Sequence, residues 1–123
     1  MKEELILKLV QIQNQLRFLH WQTFGDAKHR AYGDTYDFLG DKMDTLIEAM
    51  MGKYGRPAFE SEFMIAFQDI KSINLQNFVD GTVEFLVSLT EQFDPKYDTD
   101  LLNLRDEMLG MINKLKFLLT LQK

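Results

Sequence analysis

The chain has 123 residues, 46% of them hydrophobic, which is enough for one domain with a single core. It contains no cysteine, so disulfides and thiolate ligands are excluded, and any metal must be held by His, Asp or Glu. Net charge is −5, with eight acids against two lysines over residues 57–99 and no basic run at either end, so the electrostatic footprint needed to neutralise DNA is missing.

From Leu5 the apolar positions run Leu5, Leu9, Ile12, Leu16, Leu19 and Thr23, alternating four and three residues apart, which predicts a first helix over 3–23 with one buried stripe. Gly25 breaks that pattern and Asp26 can cap a second helix over 27–54, with Tyr32, Tyr36, Leu39, Met43, Leu46, Ile47 and Met50 facing the core. Gly55 followed by Pro57 is a strong stop. The aromatic set Tyr32, Tyr36, Phe38 and Tyr54 is expected to pack the bundle, and Met43, Met50 and Met51 to fill core or interface gaps.

Phe59, Phe63, Phe67 and Ile70 keep helical spacing, so a short amphipathic helix is expected over 58–71 within the connection. Ser72 can cap a third helix burying Leu75, Phe78, Val79, Thr82, Phe85, Leu86, Leu89 and Phe93. After a turn at Asp94-Pro95, Asp98 or Thr99 caps a fourth helix with Leu101, Leu104, Met108, Ile112, Leu115 and Leu119 inside. Two helical hairpins joined by a longer crossover make an all-α, ferritin-like four-helix bundle with a short extra helix in the crossover, as one domain over 1–123.

The only histidines, His20 and His29, fall at the end of the first helix and the start of the second, where a hairpin brings them together. Two imidazoles supply half of a metal site, and iron would need carboxylates to complete it. Asp44 and Glu48, four apart on one face of the second helix, are the obvious acids. His29 and Asp44 are fifteen residues apart on one helix, about 22 Å, so one chain cannot close the site. A two-fold dimer with antiparallel second helices would bring the histidines of one chain to the acids of the other.

His20-Trp21, a short loop, His29 and then Asp44-x-x-x-Glu48 resemble the ferroxidase motif of the Dps miniferritins over residues 16–54. The resemblance implies that His20, His29, Asp44 and Glu48 are iron ligands and catalytic residues, the acids coming from the two-fold partner, with zinc able to stand in for iron. It also implies Trp21 as an oxidisable neighbour, oxidation of Fe(II) by peroxide or dioxygen, and storage in a cage of about twelve subunits that protects against oxidative stress. This sequence has a shorter loop between the histidines, Gly33 where the family commonly has an acid, and no basic tail. A helical scaffold that kept the fold while its metal site decayed is the alternative. The acids Glu84, Glu91, Asp106 and Glu107 lack a Glu-x-x-His partner, which argues against an intrachain di-iron site. No stretch of about 18 apolar residues and no apolar leader is present, and the lack of cysteine suits a reducing compartment, so a cytoplasmic protein without membrane contact is expected.

Overall fold

The computed structural model describes residues 2–121. Four helices form, α1 (Glu3–Gln22), α2 (Asp26–Tyr54), α3 (Leu75–Ser88) and α4 (Thr99–Leu118), with a 3-10 turn over 89–91 and no strand among the described residues. α1 packs on α2, α2 on α4, and α4 on α3. The stripes read from spacing are the core: Leu9, Leu16, Leu19, Leu46, Met50, Leu86, Met108 and Leu115 are all buried. Each such side chain contributes about 1.5–3 kcal/mol by leaving water. Tyr36, Ile47, Leu75, Phe78, Phe85, Leu104 and Leu119 are half-buried at its edge.

Gly25 and Gly55 bracket α2, and both have φ +92°, a conformation side-chain-bearing residues rarely adopt. The first lets the chain reverse from α1 into α2 within three residues; the second ends α2 where the stop was read. Asp26 is not the cap of α2. Gly25 holds that position, and Asp26 is the first helical residue, paired with Arg30 at 3.0 Å.

The expected helix over 58–71 does not form, and residues 55–68 run as an irregular strap along α1 before a turn leads into α3. The side chains of α1 take the backbone groups that a helix would have paired internally. Gln15, only 4% exposed, donates to the Gln68 carbonyl at 2.9 Å and accepts from the Gln68 N–H at 2.9 Å. Gln11 donates to the Ala66 carbonyl, Gln22 accepts from the Ile70 N–H and donates to Asp69, and Glu3 accepts from the Ala58 N–H. Phe59, Phe63 and Phe67 remain 37–54% exposed, so their helical spacing had no core to serve.

Three further expectations change. Asn74, not Ser72, caps α3, its side chain accepting from the Asn77 N–H at 3.0 Å. Asp98 holds the N-cap position of α4, one of the two residues expected there, but its carboxylate makes no cap bond. Burial acts to raise its pKa, yet the Tyr54 hydroxyl, the Asp94 N–H and Lys53 outweigh that and hold it below the ordinary value. Tyr54 is accordingly 48% exposed and hydrogen-bonded at 2.6 Å to Asp98, rather than packed in the core. At the same end of the α3–α4 hairpin, nearly buried Arg105 donates to the Leu86 carbonyl and the Thr90 hydroxyl, satisfying the C-terminal end of α3.

Candidate functional site

His20 lies in the last turn of α1 and His29 in the first turn of α2. The glycine-permitted reversal at Gly25 brings them face to face, with ring centroids 3.9 Å apart and planes inclined by 19°. Their bonding is reciprocal: His20 Nδ1 lies 2.7 Å from the His29 carbonyl oxygen, and His29 Nδ1 lies 2.8 Å from that of His20. A carbonyl oxygen only accepts, so each Nδ1 must carry its proton and donate. In the neutral imidazole this leaves Nε2 as a lone pair, the tautomer that ligates a metal or accepts a hydrogen bond. The His20 carbonyl is among the last of α1, which lack intrahelical partners, so His29 also finishes that helix end.

Gly33 makes the arrangement possible. A Cβ built there would meet Nδ1 and Cε1 of His20 at 2.8 Å, closer than real contacts allow. The ring of His20 therefore lies in the space that any other residue at this position would fill. Gly33→Ala should displace that ring. Gly52→Ala and Gly110→Ala, whose added Cβ meets nothing within 4 Å, should each stabilise the protein by about 0.5–1 kcal/mol through helix propensity. Gly33→Ala should lack this gain and should lose the paired imidazole signals in NMR. An equal gain at all three positions, with the imidazole signals unchanged, would refute this account of Gly33.

Around the pair lies a pocket of about 370 Å³ that also includes Arg17, Trp21, Arg30, Asp34, Tyr36 and Asp37. Arg17 sits over the rings of Tyr36 and Trp21, at 4.6 and 5.7 Å from their centroids. Trp21 is 61% exposed. Arg17, Asp34 and Asp37 were not singled out in the sequence. For the acids the signal lies in the spacing along α2, because Asp37 follows His29 by eight residues and Asp34 follows Arg30 by four.

Asp44 and Glu48 are not brought to the histidines. They stand exposed farther along α2, whose unbroken run puts Asp44 about 22 Å from His29. Among the described residues no group of three or more His, Cys, Asp or Glu side chains is placed to hold a metal ion. One chain thus presents two oriented imidazoles at the start of α2 and, farther along it, two exposed acids without an ion-pair partner among the described residues.

The model of a protein family described as a family of unknown function, DUF5856, matches residues 20–119. No curated protein and no solved structure matches the chain.

Proposed function

The chain belongs to DUF5856, a family of unknown function, and from its own residues we propose that it is a ferritin-like protein that binds and oxidises Fe(II) at sites completed between two copies. The observation that carries this reading is the reciprocal Nδ1 bonding of His20 and His29, which orients both rings and leaves both Nε2 atoms as donors to an ion. Two imidazoles alone hold iron poorly, and oxygen donors complete such a set. Asp44 and Glu48 of a second copy are the donors in this reading. They lie on the exposed surface of α2, where an antiparallel two-fold partner can present them. Two hairpins joined by a long crossover also fit the ferritin-like arrangement.

In this scheme iron is the substrate. His20 and His29 bind it through neutral nitrogen, the partner's carboxylates offset its charge, and the ion gives its electron to dioxygen or peroxide. Zinc, with similar preferences, would compete for the same donors. No resident cofactor is required.

A second reading has its own support. The same two hydrogen bonds and the ring stack clasp the α1–α2 hairpin, and the ring of His20 fills the space beside Gly33, leaving no room there for an acid. A helical scaffold using the pair as a structural clasp would need no ion. Fe(II) titration followed by absorbance, with the oligomer mass measured on the same sample, separates the two. An oligomer that consumes Fe(II) and stops doing so when His20→Ala is introduced supports the first reading. A protein that leaves Fe(II) oxidation at the buffer rate supports the clasp.

A further inference from the structure

A second pocket opens at the same end of the bundle but on a different face of α2. Lys28 and Tyr32, four residues apart, share that face, while His29 and Gly33 occupy the next one. The pocket has a volume of about 390 Å³ and lies where α2 and α3 begin and α4 ends. Leu75, Val79 and Leu119 supply apolar lining from α3 and the end of α4. Three charged residues line it: Lys28, Lys116 and Asp80. Lys116 and Asp80 pair at 3.0 Å, and Lys28 has no ion-pair partner among the described residues. The lining therefore has one uncompensated positive charge.

Tyr32 points to a ligand independently of that charge. It is 1% exposed, and its hydroxyl has no hydrogen-bond partner among the described residues. No fully enclosed side-chain nitrogen or oxygen among them lacks a partner, so the small exposed area of Tyr32 must include its hydroxyl. Tyr32 is itself one of the residues that line the pocket. Burial raises the phenol above its ordinary pKa, so at neutral pH it is a donor awaiting an acceptor. The first residues of α3, Leu75 and Gln76, also line the pocket, their N–H groups are without partners among the described residues, and the first turn of α3 carries no acid. Such a terminus favours negative charge.

We propose that this pocket binds a free amphipathic monocarboxylate, its head taken by Lys28 and the Tyr32 hydroxyl and its apolar body by Leu75, Val79 and Leu119. One uncompensated positive charge matches a monoanion better than a phosphate dianion. The volume lies at the small end of ligand sites, which suits a medium-length acyl chain or a compact aryl acid.

Calorimetric titration of the intact protein with decanoate, and in parallel with 1-decanol, tests the proposal. Decanoate should bind at one site per chain, about tenfold or more tighter than decanol, because only the acid offers a charged acceptor. Tyr32→Phe and Lys28→Ala should each weaken decanoate about tenfold while leaving decanol unchanged. Val79→Trp should abolish both. Tyr32→Phe should also be at least as stable as wild type to urea, since the hydroxyl it removes has no partner in the fold. The proposal is overturned if decanoate does not bind, if decanoate and decanol bind alike, or if decanoate binding is indifferent to both head-group substitutions. A marked loss of stability in Tyr32→Phe would overturn it too, by showing that the hydroxyl serves the fold.

Discussion

His29→Ala and Asp44→Ala oligomers are each expected to be inactive in Fe(II) oxidation, and to regain about a quarter of the wild-type rate when unfolded and co-refolded in equal amounts. The expectation rests on α2 being one continuous helix from Asp26 to Tyr54. Residues fifteen apart on it are held about 22 Å from each other and must serve different ions. In either homo-oligomer every site lacks an imidazole or a carboxylate. In a mixed dimer one site draws its histidine and its acid from intact positions, and the other has lost both. Random pairing makes about half of the dimers mixed, with half of their sites restored, hence the quarter. Both replaced side chains are exposed, so neither substitution removes core packing. Mass analysis of tagged chains verifies the mixing, and refolded wild type sets the reference. Verified mixed dimers that stay inactive would rule out the intersubunit site.

Asp98→Ala should cost about 3 kcal/mol in urea denaturation, among the larger single-site losses available outside the core. The Asp98 carboxylate is 2% exposed and collects the Tyr54 hydroxyl, the Asp94 N–H and Lys53, joining the end of α2 to the turn before α4. Removing it leaves the Tyr54 hydroxyl and the Asp94 N–H without their acceptor and takes one of two carboxylates from Lys53. Lys53 also pairs with Asp100 at 2.9 Å; that bond and the two carboxylates raise the lysine above its ordinary pKa, and it in turn lowers Asp100.

The pH dependence has a definite sign. The folded Asp98 carboxyl is depressed below 3.8, so its stabilisation is complete above that value and is lost as pH falls through the folded pKa. The raised Lys53 gives the opposite limb, with stabilisation complete below 10.5 and lost as pH rises through its folded pKa. Asp98→Asn, which cannot ionise, should therefore lag wild type most at neutral pH. The gap should narrow below about pH 4. A gap independent of pH would show that charge on Asp98 does not hold this junction.

Much of the architecture could be read along the chain because it depends on local periodicity. Leu5, Leu9, Ile12, Leu16 and Leu19 repeat at the helical period, and all five are buried. Gly25 and Gly55 marked the ends of α2 because few other residues accept φ +92° there. The pairing of His20 with His29 followed from the same logic, since a short turn between helices leaves their ends side by side. Distance along α2 likewise separated Asp44 and Glu48 from the histidines before any contact was known.

What periodicity could not decide were contacts between distant segments. Phe59, Phe63 and Phe67 have helical spacing, but whether their backbone pairs with itself depends on Gln11, Gln15 and Gln22, some fifty residues earlier. Asp98 has the right position for a cap, yet its carboxylate turns to Tyr54 and Lys53 across the bundle. Gly33 reads in the sequence as a missing acid. Only the packed hairpin shows that the ring of His20 fills its place. Local spacing along this chain determined its helices and brought its two histidines together. Tertiary structure decided where the polar side chains spend their hydrogen bonds, because a donor or acceptor buried without a partner costs more than local propensity returns.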